Sequence, residues 1–126
     1  MTERKIICLD FDGVLHSYSS GWKGADIIPD APVPGALEFI EECIFTGFAV
    51  AVYSSRSHQK GGIEAMIRWF KTQGLDTDLL AQIDFPNHKP PAFLGIDDRV
   101  LTFNGPDSWP SMKDVENFQP WNKRGI

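Results

Sequence analysis

Asp10-Phe11-Asp12-Gly13-Val14 sets two carboxylates two residues apart, directly after the apolar run Ile6-Ile7-Cys8-Leu9. If that run is a buried strand, the two acidic side chains point the same way. Two like charges held at the end of a buried strand are costly unless something neutralises them. A hard cation such as Mg2+, which prefers carboxylate oxygens, meets that need. Other polar residues stand beside apolar runs in the same manner. Ser54 follows the run 48–53, Asp97 and Asp98 follow the run 92–96, and Lys89 lies in the loop entering that last run. In a parallel sheet the strand ends share one edge, where open α/β folds bind their ligands. Residues far apart in sequence can converge there, with Lys89 reaching in on its long side chain.

The elements that must position these residues are visible in hydrophobic period and turn chemistry. A first strand over residues 5–11 is bounded by Gly13. Residues 14–28 have apolar flanks, Val14-Leu15 and Ile27-Ile28, around a polar, glycine-containing middle, which suits a short hairpin or flap. Pro29, Pro32 and Pro34 form a rigid approach to a helix over 34–45, with Pro34 in its first turn. Leu37, Ile40, Ile44 and Phe45 make the apolar stripe of that helix, and Gly47 is its stop. The continuous apolar run 48–53 predicts a strand covered on both faces. A second helix over 63–72 has the stripe Ile63, Met66, Ile67 and Phe70 and ends at Gly74. A short third strand falls within 79–85, a fourth over 92–96 and a fifth over 100–103. A last helix starts near Ser111, capped by its hydroxyl, with Asp114 in the first turn. The tail from Gln119, polar apart from Trp121, is expected to be loosely held. This alternation predicts a single α/β domain over residues 1–126: a three-layer, Rossmann-like parallel sheet with helices on both faces.

Composition narrows the function classes. The chain has 126 residues and a net charge of −5, which argues against a broad basic surface for nucleic acid but not against a local basic groove. Its two cysteines, Cys8 and Cys43, fall in core segments and read as reduced and structural. Cys/His spacing of the zinc type is missing. The polar N-terminus, the short apolar run after it and the lack of a membrane-length segment point to a cytoplasmic protein with no membrane partner. An obligate protein partner is not evident.

Taken together, the four features resemble the haloacid dehalogenase superfamily of phosphohydrolases. Asp10-Phe11-Asp12-Gly13-Val14-Leu15 is similar to the first family motif. The apolar strand ending in Ser54 is similar to the second, Lys89 to the third, and Gly95-Ile96-Asp97-Asp98-Arg99 to the acidic fourth. The resemblance implies Mg2+-dependent hydrolysis of phosphate monoesters. Asp10 would be the nucleophile, forming an aspartyl-phosphate, and Asp12 the general acid and base. It also implies a metal held by the Asp10 carboxylate, the Asp12 backbone carbonyl and Asp98. Asp97 would be an outer-shell group, holding Lys89. Ser54 would donate to a phosphoryl oxygen, with Ser55 its rival, and Lys89 would offset negative charge. The intervals after Asp12 and between Ser54 and Lys89 are too short for the cap domains common in that family. Such an open site admits either a bulky substrate, such as a nucleic-acid end, or a small phosphate ester closed over by the flap.

Several neighbouring residues carry two readings. Ser55, Arg56 and Arg99 are candidate substrate-binding residues. The two arginines either bind a second phosphate or a nucleic-acid backbone, or serve as scaffold. Asp98 has Arg99 and Arg56 as alternative ion-pair partners. His16 and His58 are loop residues or substrate contacts. Trp22 either stacks on a ring or anchors the flap. Two rival functions follow. A nucleic-acid end-processing phosphatase would need a basic groove near Arg56, Lys60, Arg99 and Lys23. A non-enzymatic phospho-acceptor module is disfavoured, because Tyr53-Ser54-Ser55 offers no carboxylate at the middle strand.

Overall fold

In the computed structural model, which describes residues 4–123, four strands form one parallel sheet. They are β1 (Ile6–Leu9), β2 (Ala49–Val52), β3 (Ile83–Asp84) and β4 (Leu94–Ile96), in the order β3-β2-β1-β4. The helices are α1 (Ala36–Thr46), α2 (Gly62–Thr72), α3 (Thr77–Leu80) and α4 (Met112–Glu116). Short 3-10 turns cover Ser55–His58, Pro106–Ser108 and Trp121–Lys123. The fold is thus α/β with an all-parallel sheet, as expected.

Strand β1 lies between β2 and β4, with Leu9 opposite both Val52 and Ile96. The ladder continues past its end on both sides: Asp10 N–H donates to the Ile96 carbonyl at 2.9 Å, and Tyr53 N–H to the Leu9 carbonyl at 3.1 Å. Asp10 is therefore still fixed by the sheet when the chain turns away at Phe11. The chain winds outward through β2 and β3, then returns to the far side of β1 as β4. That reversal between β1 and β4 is where open α/β sheets leave a crevice at their carboxyl edge.

Ala36, Ile40 and Cys43 recur at helical spacing and are the buried residues of α1. Gly47, at φ 106°, closes the helix by donating to the carbonyls of Cys43 and Ile44. Helix α2 buries Ala65, Met66, Trp69 and Phe70. Both helices meet Ile7, Leu9, Val50 and Val52 in one core cluster. Alternation puts these strand residues on one face of the sheet, so α1 and α2 share that face. The helical layer expected on the second face is supplied by neither. There, Cys8 and Ala51 are neighbours in register, and Cys8 borders a cavity together with Lys89, Pro90 and Phe93 of the extended connection into β4.

Other differences have local causes. The expected fifth strand over 100–103 does not form. The backbone N–H of Arg99 donates to Asp97 Oδ1 at 2.8 Å, an Asx turn that redirects the chain away from the sheet. Val100 and Phe103 are left 59% and 57% exposed. Helix α3 was not expected, although its cap is plain: the Asp76 carboxylate accepts from the backbone of Asp78 and Leu79. The predicted start at Ser111 holds, with Ser111 Oγ accepting from Asp114 N–H and the Asp114 carboxylate accepting from Ser111 N–H. The expected loose tail is instead anchored as far as Lys123, since Trp121 Nε1 donates to the Gly13 carbonyl at 2.7 Å. Residues 124–126 of that tail lie outside the described residues. Both cysteines are free and buried. No helix of the described residues is long and apolar enough to cross a membrane.

Candidate active site

The sheet's carboxyl edge gathers the acidic residues. Asp10 leaves β1, Asp97 and Asp98 leave β4, and oxygens of all three carboxylates lie within 4.8 Å of one another. Burial, foremost, pushes the Asp10 carboxyl up to about 8; the charge of Asp97 and a hydrogen bond with the Asp98 side chain add to this, against a stabilising Phe11 N–H. Without a cation, the Asp10 carboxyl therefore keeps its proton to higher pH than an exposed carboxyl does. Three hard oxygen donors at a half-buried strand end fit Mg2+ or a similar ion. Gly13 makes this packing feasible. It sits at φ +86°, and a Cβ there would lie 2.2 Å from Asp98 Oδ2.

Asp97, expected as an outer-shell group holding Lys89, has a carboxylate oxygen in this cluster together with Asp98. Among the described residues no ion pair joins Asp97 to Lys89, or Asp98 to Arg99 or Arg56. The second oxygen-bearing duty of Asp97 is the turn-forming bond from Arg99 N–H.

Asp12 has opposite surroundings. Arg56 Nε donates to its Oδ2 at 2.9 Å and its Oδ1 at 3.2 Å, and Arg56 Nη2 donates to Oδ1 at 3.1 Å. The other terminal nitrogen of Arg56 donates to the flap carbonyls of Gly24, Ala25 and Ile27 at 2.8, 2.9 and 3.3 Å. His16 completes the cage. Its Nε2 accepts from Asp30 N–H at 3.1 Å, which leaves the proton on Nδ1 to be donated to Asp12 Oδ1 at 2.9 Å. Arg56 is 0% exposed, so it contacts Asp12 and the flap, not substrate. Its scaffold reading is the one the geometry supports. Close packing preserves the arrangement: a Cβ on Gly62, at the start of α2, would lie 1.9 Å from the Arg56 carbonyl oxygen. The flap is held from outside as well, by Ser20 on the Asp30 carboxylate and by Trp69 Nε1 on the Asp30 carbonyl.

Ser54 sits in the buried N-cap of the 3-10 turn Ser55–His58. Its Oγ accepts from Arg56 N–H at 2.9 Å, and its own N–H donates to Ser57 Oγ. That bond uses an acceptor lone pair and leaves the hydroxyl proton for another acceptor. Ser54 and Ser55 line a cavity of about 310 Å³ with Asp10, Asp12, Asp97 and Asp98. Lys89 lines a second cavity, of about 440 Å³, on the β4 side. Asp10 and Asp97 border both cavities, so the lysine approaches the acidic cluster from a different side than the serine does.

Some participants had little or no local signal. His16, in the connection between β1 and α1 as its loop reading has it, is fully buried against Asp12. His58 pairs with Tyr53, their Nε2 and hydroxyl 2.5 Å apart. Tyr18, Asn122 and Lys123 line the first cavity, the last two because Trp121 pins the C-terminal turn beside Gly13. The molecule is therefore a parallel α/β protein with an acidic, cation-ready cluster at the sheet's carboxyl edge. Compared with models of protein families and with curated proteins, the chain matches none.

Proposed function

We propose that this chain is a cytoplasmic, Mg2+-dependent phosphatase of the haloacid dehalogenase type, without a cap domain, acting on phosphate monoesters. One observation carries the reading. Asp10, Asp97 and Asp98 converge at the end of the central strand, and Ser54 faces the same cavity. A phosphate monoester repels nucleophiles, so its hydrolysis depends on neutralised charge and in-line positioning. Bound at Asp10 and Asp98, with Asp97 or the Asp12 carbonyl beside them, Mg2+ would supply that neutralisation.

The residues of the chain do the rest. An Asp10 carboxylate oxygen forms a bond to phosphorus while the ester P–O bond breaks, giving an aspartyl-phosphate. Asp12, entering the step protonated, gives that proton to the departing oxygen and is left as a carboxylate. In the second step water attacks phosphorus, Asp12 takes its proton, and the bond from Asp10 to phosphorus breaks to release inorganic phosphate. Arg56 and His16 keep the Asp12 carboxylate in one orientation through both steps. The Ser54 hydroxyl donates to a phosphoryl oxygen, and Lys89 adds positive potential as a point charge.

The test is hydrolysis of 4-nitrophenyl phosphate with and without Mg2+. We expect turnover only with the metal, and a loss of at least about 10³-fold in Asp10→Asn. Undiminished activity in that variant removes Asp10 as the nucleophile. A stable phosphoaspartate without turnover would favour the phospho-acceptor alternative.

A further inference from the structure

The cavity over Ser54 and the acidic cluster extends beyond what a phosphoryl group needs, and five residues outside the proposed chemistry line it: Tyr18, Trp22, Arg99, Asn122 and Lys123. We propose that they form a leaving-group subsite for a nucleoside, with its base against the flap aromatics and a further phosphate against Arg99 and Lys123. The proposal rests on the phosphatase reading and names the substrate class within it.

The flap supplies rigid aromatic surface. The Trp22 ring lies 4.7 Å from the guanidinium carbon of the fully buried Arg56, which holds it by a cation–π contact. Arg56 is itself fixed by Asp12 and three flap carbonyls, so the indole is braced from beneath. It remains 45% exposed, enough to present a stacking surface. Tyr18, also on the flap, is the only non-glycine residue with positive φ among the described residues, at 60°. Such backbone strain persists where the surroundings enforce it and is concentrated at binding sites.

The other groups supply charge and hydrogen bonding. Among the described residues neither Arg99 nor Lys123 forms an ion pair, in a chain whose net charge is −5. Two uncommitted cations at the mouth of an otherwise acidic cavity suit a polyanion. Asn122 keeps its Oδ1 buried with no hydrogen-bond partner. A buried, unpaired amide in a cavity wall has capacity left for a ligand donor, such as a base or ribose group. The Trp121–Gly13 hydrogen bond ties this wall to the turn after the nucleophile. A monophosphorylated sugar offers no planar base and no second phosphate, and an aryl phosphate has no second phosphate for the cationic pair.

The same chemistry is offered by a free nucleoside bisphosphate and by a phosphorylated oligonucleotide end. Calorimetry on the metal-free wild type, in which no turnover is expected, with a nucleoside 3′,5′-bisphosphate, a 3′-phosphorylated oligonucleotide and glucose 6-phosphate as probes, separates the cases. We expect both nucleotide probes to bind at least tenfold more tightly than the sugar phosphate, and more weakly as salt rises. Tighter binding of the oligonucleotide identifies a nucleic-acid end, and equal binding a free nucleotide. Trp22→Leu and Arg99→Ala/Lys123→Ala should each lower nucleotide affinity at least fivefold. Equal affinity for all three probes, or no effect of these variants, overturns the subsite. Failure of the wild type to hydrolyse any phosphate ester, with nucleotide binding intact, would instead overturn the phosphatase reading and leave the subsite standing.

Discussion

The Asp12 carboxylate is enclosed by donors, three N–H···O contacts from Arg56 and one from His16, whereas the Asp10 carboxyl faces two other acids across a few ångströms. Only Phe11 separates them in sequence. The first environment is complete within the chain, and the second is complete only with a proton or a cation. Under the proposed function this contrast would give the two acids different work: Asp12 would be held in place to move protons at the substrate, and Asp10 would be completed by a metal. Both depend on the end of β1, but they use different sides of the fold. Asp12 is tied to the flap and the Ser55–His58 turn, and Asp10 to the residues that follow β4.

The largest expected effect comes from breaking the finished side. Arg56→Met keeps much of the side-chain bulk but removes all three Arg56 contacts to Asp12 and those to the carbonyls of Gly24, Ala25 and Ile27, leaving only His16 on Asp12. Removing one partner of a buried ion pair costs about 3–5 kcal/mol. We expect a loss of that size in urea-induced unfolding, with hydrolysis greatly reduced even where the protein remains folded. Asp12→Asn in the Arg56→Met background should cost much less than it does alone, the sign of strong coupling. A loss below about 1 kcal/mol for Arg56→Met, the range of an exposed ion pair, would mean that the cage is not a closed unit.

The unfinished side is most sharply tested at Gly13. Gly13→Ala forces a Cβ against Asp98 and strains a φ of +86°, a backbone cost of about 1–2 kcal/mol. Gly47→Ala is the matched control: its φ is +106°, but nothing lies within 4 Å of the added Cβ. Both variants should lose comparable stability. Only Gly13→Ala should also weaken Mg2+ binding, by at least tenfold in a calorimetric titration. Equal metal affinity in the two would separate Gly13 from the metal centre.

Much of this organisation is legible in the residues, and the limits have physical reasons. Period and punctuation reveal α1, α2 and the central strands because their apolar faces are repeated and end at Gly47 or Gly74. The acidic edge is legible because Asp10, Asp97 and Asp98 each follow an apolar run. The cage around Asp12 is not, because Arg56 looks like any polar turn residue until the flap carbonyls close over it. His16 is equally ambiguous, since burial beside Asp12 depends on bridges to Asp12 and Pro32 rather than on a local pattern. The run 100–103 misleads in the other direction: it has strand composition, but the turn made by Asp97 carries it off the sheet. The tail looks loose because a single long-range bond, from Trp121 to Gly13, decides its place.

Titration provides a milder test of the contrast. Asp10 has an ordinary value of 3.8 and is raised to about 8 in the folded, metal-free protein. Between those values the folded state holds a proton that the unfolded state has lost. The contribution is fully present below pH 3.8 and is lost as pH rises towards 8. Metal-free protein should therefore melt at a lower temperature at pH 8 than at pH 5, by a margin that Asp10→Asn reduces. If Mg2+ takes the place of this proton, as the proposed function requires, its affinity should rise over the same range and its addition should restore stability most at the alkaline end. If Asp10→Asn leaves the pH dependence of melting unchanged, the acidic cluster does not control it.

The smallest expected difference is between the two acids after β4. Asp97 and Asp98 both reach the cluster, but they are not equivalent. Asp97 already accepts Arg99 N–H through Oδ1, while Asp98 packs against Gly13 and shares a hydrogen bond with Asp10. Asp98→Asn should therefore weaken Mg2+ binding about tenfold and Asp97→Asn about threefold, losses on the scale of about 1.4 kcal/mol or less. Asp97→Asn should have a further effect of its own. The charge of Asp97 ranks above that of Asp98 among the influences raising Asp10, so removing it should lower the pH at which metal-free Asp10 gives up its proton. NMR titration of the Asp10 carboxyl carbon in the two variants, set beside their Mg2+ affinities, distinguishes the residue that mainly charges the site from the one that mainly ligates. The reverse ranking in affinity would make Asp97 the direct ligand and confine Asp98 to orienting Asp10.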